Sequence, residues 1–318
     1  MARVTVGIVG AGHVGGTCAQ RVLEWDLADV ALVDVVEGLA AGKALDLAEA
    51  ALVEGHDRRI VGSTSYEVLA GAAVVVITAG LARRPGMSRS DLLDANAAIV
   101  GGIVPQVVAH APEAVLVVVT NPLDVMTHLA WQRSGFPPTR VVGMAGVLDS
   151  ARFRTFIAQR LQVSGREVSA LVLGGHGDSM VPLPRYTTVA GVPLPELLPA
   201  EEIERLVQRT RQGGAEVVAL LKAGSAFYAP ASAVADMVQA ILRDERRLLP
   251  CCAYLTGQYG LTDIFCGVPV TLGARGVEAV VELPLREPER DALQRSAQAV
   301  RQDLEALAAR AGPPARPA

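Results

Sequence analysis

The sequence predicts an α/β chain in which an N-terminal Rossmann-type, doubly wound parallel sheet is followed by an α+β lobe. Three observations carry this reading. Short β-branched runs alternate with helix-spaced stretches through the first half, a glycine-rich turn follows the first run directly, and the rhythm changes near residue 148. Continuous apolar runs, rather than strict in-and-out alternation, belong to strands covered on both faces, as parallel strands are.

The strand runs are VTVGIV (4–9), VALVD (30–34), AAVVVIT (72–78), AVLVVVT (114–120) and RVVGM (140–144), with helical spacing between them. Beyond residue 148 come the helix-like ARFRTFIAQRLQ, shorter strands, helical stretches over 200–223 and 230–243, and strand-like runs through 253–283. A last helical pattern, PERDALQRSAQAVRQDLEALAAR, leads into the Pro/Ala-rich AGPPARPA. The expected division is a nucleotide-binding domain over 1–146, a substrate domain over 147–310 and a disordered tail over 311–318.

Composition narrows the function. A net charge of −4 and a pI near 5.8 argue against nucleic acid as a partner, because phosphate binding needs an extended positive field. Mean hydropathy is high at +0.34, yet its source is runs far shorter than the ~20 apolar residues of a bilayer span, so no membrane helix is expected. The N-terminus enters a strand run at once and shows no secretory signal pattern, which predicts a cytoplasmic protein. Cys18, Cys251, Cys252 and Cys266 lack CxxC spacing and read as thiols, while the five histidines show no paired metal-ligand spacing, so no metal is expected.

GAGHVG, residues 10–15, follows the first strand and heads a predicted helix. Gly10 permits the tight turn, Gly12 lets a pyrophosphate approach the backbone, and Gly15 lets helix and strand pack closely. Asp34 closes the second strand at the spacing where an acid accepts hydrogen bonds from both ribose hydroxyls and repels a 2′-phosphate, favouring NAD over NADP. His13, inside the loop, reads as an exposed bystander.

Two further segments carry chemistry. In LGGHGDSMVP (173–182), His176 stands between two glycines, where it either meets a ligand or serves as a bonded turn histidine. In VLDSARFR (147–154), Asp149 and Arg152 fall three apart and share a helix face. Asp149 can cap that helix or orient a histidine, and Arg152 can be a surface ion-pair partner or a fork for a carboxylate. Spacing leaves these alternatives open. A third segment, LARRPGMSRSDLL (81–93), sets Arg83, Arg84 and Arg89 around a Pro-Gly pair, the makeup of a mobile cationic loop.

GAGHVG, Asp34, TAGLARRPGMSRSDLL, VVTNPLD, GVLDSARFR and GGHGDSMVP, in this order and spacing, resemble the lactate/malate dehydrogenase family, and within it the lactate-dehydrogenase-like malate dehydrogenases. The similarity runs from residue 4 to about 305. It implies a nicotinamide-binding lobe, a substrate lobe and an active site between them. It further implies that His176 exchanges a proton with the substrate oxygen, that Asp149 orients it, and that Arg152 holds the C1 carboxylate of a 2-oxo acid. Arg89 would polarise the reacting carbonyl, Asn121 would contact substrate and nicotinamide surroundings, Asn96 would contact the cofactor, and Ser225 would flank the pocket. Arg83 would face the far end of the substrate and pair with a second carboxylate, which selects malate and oxaloacetate. A homodimer or homotetramer is the implied assembly. The rivals are a lactate or broad 2-hydroxy acid dehydrogenase, which differs in the choice at Arg83; an NAD-dependent glycosidase, which needs a metal site; and a non-catalytic NAD sensor.

Overall fold

Thr5–Val9 (β1) is a run that only a sheet interior accommodates, buried from Val6 onward, and the chain leaves it through Gly10 into the helix His13–Glu24 (α1). The same unit recurs: Asp29–Val33 (β2), Leu39–Glu54 (α2), Ile60–Ser63 (β3), Val74–Ile77 (β4), Arg89–His110 (α3), Val115–Val118 (β5), Leu123–Ser134 (α4), Val141–Gly143 (β6) and Gly146–Leu161 (α5). The structure, a computed structural model, describes residues 3–81 and 88–311, without the side chains of Arg89 and Ala311. Arg83, Arg84 and the Pro-Gly pair, and the tail beyond Ala311, lie outside the described residues.

β1 to β6 are parallel to one another and stand in the order β3-β2-β1-β4-β5-β6. The chain winds one way from β1 to β3 and the other from β4 to β6, so the strand order reverses between β1 and β4. In open α/β sheets the crevice at the carboxyl ends of the strands beside such a reversal is where ligands bind.

The second half adds short pairs, Val168–Ser169 (β7), Val172–Leu173 (β8), Val181–Pro182 (β9), Thr188–Val189 (β10) and Val192–Pro193 (β11), then the helices Leu194–Leu197 (α6), Ala200–Leu221 (α7) and Tyr228–Leu242 (α8). Arg247–Thr256 (β12), Thr262–Gly273 (β13) and Gly276–Val280 (β14) form an antiparallel meander, and Glu287–Ala311 (α9) closes the chain. β12 pairs antiparallel with β6 at Cys252 and Gly143, so the meander extends the parallel sheet to nine strands. The sequence pattern missed this continuity, because a single pairing between distant segments leaves no periodic signal.

One large core covers both faces of this sheet, and a smaller one, with Phe153, Ile157, Val168, Val189 and Leu206, lies beneath α5 and α7. The four cysteines are free and buried. β3 was not among the strand runs; IVGS is short, sits at the sheet edge and is only half buried, so it lacks the apolar run that marks its neighbours. α3 departs from expectation in another way. From Ser90 to His110 it is long and apolar enough, by length and composition, to cross a membrane. Here Leu93, Val100, Val104 and Val107 are buried in the large core, which accounts for part of its apolar character. α2 turns an apolar face outward instead, with Leu45, Leu52 and Val53 at 63%, 85% and 87% exposure.

Candidate active site

At the first turn, the glycines are dictated by distance. Gly10 has a φ of +106°, and a Cβ there would lie 2.6 Å from the Ala79 nitrogen of the neighbouring strand end. A Cβ on Gly15 would stand 1.7 Å from the Gly10 carbonyl, so no side chain fits. A Cβ on Gly12, by contrast, would meet nothing within 4 Å. Gly12 is the N-cap of α1, and no side chain caps that end. The first-turn amides therefore face open space with unfilled hydrogen-bonding capacity and the positive end of the helix dipole, which suits a pyrophosphate.

Asp34 ties this turn to β2. One carboxylate oxygen accepts from the Ala11 amide at 2.6 Å, the other from the Val36 amide at 2.9 Å. The half-buried carboxylate is thus fixed beside the glycine turn with lone pairs left for hydroxyls. Both the turn and the acid fit NAD. Lys43, on α2, donates to the Gly12 carbonyl at 3.1 Å and reaches over the turn. Sequence reasoning gave it no role; the available signal was its rarity, since Lys43 and Lys222 are the only lysines among 29 basic residues. His13 is exposed and stacks on Phe227 with centroids 5.0 Å apart.

Asn121 lies at the carboxyl end of β5 and is exposed. Asn96, on α3, is fully buried, and its amide is spent on backbone: it donates to the Asn121 carbonyl at 2.7 Å and to the Leu81 carbonyl at 3.1 Å, and accepts from the Leu81 amide at 2.7 Å. The structure gives Asn96 a different task from the direct cofactor contact expected of it. Its side chain clamps the chain end at Leu81 to the Asn121 turn.

Asp149, Arg152 and His176 come together. α5 starts at N-cap Ala145 with no side-chain cap, so the capping alternative for Asp149 does not apply. Its carboxylate, 1% exposed, instead takes the His176 Nδ1 at 2.8 Å on one oxygen and the Arg152 guanidinium at 3.1 Å on the other. Burial opposes charge on the His176 ring, yet the Asp149 charge and hydrogen bond outweigh it and hold the imidazole above its ordinary pKa, against a downward pull from Arg152. With Nδ1 protonated toward Asp149, neutral His176 presents Nε2 as the base and the cation presents Nε2–H as the acid.

Arg152 is accommodated by two residues that the sequence reading passed over. A Cβ on Gly213 of α7 would lie 3.2 Å from the Arg152 Cδ, and one on Gly214 would lie 3.7 Å from its terminal nitrogen. The Gly-Gly pair costs α7 helix propensity. That cost, in the middle of an otherwise well-formed helix, was the legible signal. Ser225 is exposed, and no cluster of three or more His, Cys, Asp or Glu suited to a metal ion occurs among the described residues.

A glycine turn built for a dinucleotide, at a strand-order reversal, together with a histidine–carboxylate–arginine group defines the class of an NAD-dependent dehydrogenase. Residues 4–143 match the NAD-binding domain of lactate/malate dehydrogenase, and residues 146–311 match the α/β C-terminal domain of the same family. The chain belongs to the lactate/malate dehydrogenase family, and it is an enzyme whose cofactor is NAD. It is 56% identical to a malate dehydrogenase of Chloroherpeton thalassium over 94% of this chain and 96% of that protein. A malate dehydrogenase structure from Salinibacter ruber matches with a TM-score of 0.92 at 50% identity, covering 96% of this chain and 97% of that one. A lactate dehydrogenase from Cryptosporidium parvum, solved with lactic acid and nicotinamide adenine dinucleotide, matches with a TM-score of 0.94 at 41% identity, covering 96% and 98%.

Proposed function

We propose that the enzyme interconverts malate and oxaloacetate, with His176 as acid/base and Arg83 selecting the second carboxylate. The observation that carries the proton chemistry is the Asp149-held His176, raised in pKa and next to an arginine that keeps part of its donor set free for a carboxylate. Bound on the Gly10–Gly15 turn and Asp34, NAD supplies the hydride chemistry at the substrate's C2. His176 as a cation gives its Nε2 proton to the oxygen on that carbon in reduction, and as a neutral base takes it back in oxidation. Asp149 keeps the ring in the required tautomer and stabilises the cation. Arg152 holds the C1 carboxylate, and Asn121 borders substrate and nicotinamide. Arg89, at the first turn of α3, polarises the carbonyl.

The choice between substrates rests on the sequence. An arginine at 83 in a closed site pairs with the distal carboxylate of a dicarboxylate, whereas a methyl group leaves a desolvated charge unpaired. The division into a cofactor lobe over 1–146 and a substrate lobe over 147–310 is supported by the two family matches, over 4–143 and 146–311. The test is turnover with oxaloacetate and pyruvate side by side in the wild type and in Arg83→Gln. Arg83→Gln is expected to narrow or reverse a preference for oxaloacetate; an unchanged preference would remove Arg83 as the selector.

A further inference from the structure

The turn that presents His176 has three consecutive backbone amides, and each is met by an acceptor from a different part of the molecule. The Gly174 amide donates to the Gly267 carbonyl of β13 at 2.8 Å. The Gly175 amide donates to the Ser296 hydroxyl of α9 at 2.7 Å, and the His176 amide donates to the Asp124 carboxylate of α4 at 2.8 Å. Ser296 in turn donates to the Ser179 hydroxyl at 3.1 Å, fastening the far side of the same turn. Gly177, with φ at +132°, provides the sharp exit that L side chains resist.

Asp124 is 4% exposed and Ser296 1% exposed, both in helices packed into the core. Burying a hydroxyl or a carboxyl is costly unless its hydrogen bonds are met, and a carboxyl more so. The Asp124 carboxyl also faces the buried Cys252 thiol of β12, and burial pushes it up from the usual carboxylate range; an asparagine or serine would accept the same amide more cheaply. The oxygen that accepts the His176 amide also stands where a Cβ on Gly175 would come within 3.3 Å, so the turn is built around it.

We propose that Asp124 and Ser296 are positioning residues for the acid/base histidine: they fix the Gly175–His176 backbone so that the imidazole meets Asp149 with Nε2 directed at the substrate. This rests on the reading of His176 given above. Neither residue touches substrate or cofactor; each acts through the backbone of the turn.

The experiment uses the full-length enzyme with Ser296→Ala, Asp124→Asn and Asp124→Ala, measuring kcat, NADH affinity by fluorescence, the primary isotope effect with NADH deuterated at C4, the pH profile of oxaloacetate reduction, and Tm. A displacement of the reacting group on the ångström scale costs roughly a hundredfold in rate. Ser296→Ala is therefore expected to lower kcat by about ten- to a hundredfold with NADH affinity unchanged and the isotope effect raised. Asp124→Asn, which keeps an acceptor for the His176 amide, should retain more activity than Asp124→Ala. A fall in Tm with unchanged kcat and isotope effect, or a parallel loss of kcat and NADH affinity, would overturn the proposal. If the Asp124 variants do not fold, Ser296→Ala decides alone. Failure of the underlying reading has a separate signature: full turnover in His176→Asn.

Discussion

Replacing Asp149 with asparagine keeps shape and removes one charge, and the structure dictates why this change is severe. The carboxylate accepts from two donors at once, His176 Nδ1 at 2.8 Å and Arg152 at 3.1 Å. An asparagine has one accepting oxygen for these two donors. If its oxygen faces Arg152, its NH₂ faces Nδ1 and drives the neutral ring into the tautomer with the proton on Nε2, which cannot act as base. If its oxygen faces His176, its NH₂ points at a guanidinium, and Arg152 loses its anchor. A wrong tautomer in a comparable histidine–carboxylate pair costs about 10⁴ in kcat, and general acid/base catalysis contributes about 10²- to 10⁴-fold, so the expected loss is within that range, or about 2.7–5.5 kcal/mol of barrier. NADH affinity should stay near wild type, since the dinucleotide turn is distant in sequence and separately built.

The pH dependence follows with a definite sign. In the wild type the folded imidazole binds its proton more tightly than in the unfolded chain, so its contribution to stability is full below the unfolded pKa and is lost as pH rises through the raised folded value. In Asp149→Asn, burial and Arg152 remain while the opposing carboxylate is gone, so the folded pKa falls and the variant loses stability on acidification instead. Its oxaloacetate reduction, which needs the cation, should fade at lower pH than the wild type's. Steady-state NADH oxidation across pH, paired with denaturant unfolding at a mildly acidic and a mildly alkaline pH, reads both effects. Near-wild-type turnover, or an unmoved pH profile, would refute the role of Asp149.

Asp34→Ser removes the charge that repels a 2′-phosphate and one acceptor of the Ala11 and Val36 amides, so the ratio of NADH to NADPH efficiency should fall by about ten- to a hundredfold; parallel kinetics with the two cofactors check this. Leu52→Glu places a charge on the exposed apolar face of α2, where Leu52 is 85% exposed. The side chain meets little of its own chain there, so the variant's stability should stay within about 0.5 kcal/mol of wild type, and a clearly shifted denaturant midpoint would contradict the exposure of this face.

Much of the fold was legible because its parallel strands are buried on both faces and so print as continuous apolar runs; β1, β4, β5 and β6 fall within the runs read from sequence, and β2 begins one residue before its run, at Asp29. β3 escaped because an edge strand of four residues, three half-buried and Val61 exposed, needs no such run. The dinucleotide turn was legible because its glycines answer to steric demands that only glycine meets, as the 1.7 Å approach at Gly15 illustrates. Asp149 and Arg152 were legible as a pair through their helical spacing, but their meeting with His176 depends on a tertiary approach between α5 and the loop after β8 that spacing does not encode. The same holds for Asp124, Ser296 and the Gly213–Gly214 pair, whose significance lies wholly in what they pack against. Asn96 marks the reverse case: the helix was placed correctly, yet its side chain is turned inward to the backbone of Leu81 and Asn121.

The most direct test of the central claim is NADH oxidation by the full-length enzyme with oxaloacetate and pyruvate measured in parallel. A strong preference for oxaloacetate is the result expected from an arginine at position 83 acting with Arg152 and His176. A preference for pyruvate would contradict the dicarboxylate assignment while leaving the acid/base site standing, and absence of turnover with either would contradict the catalytic reading itself.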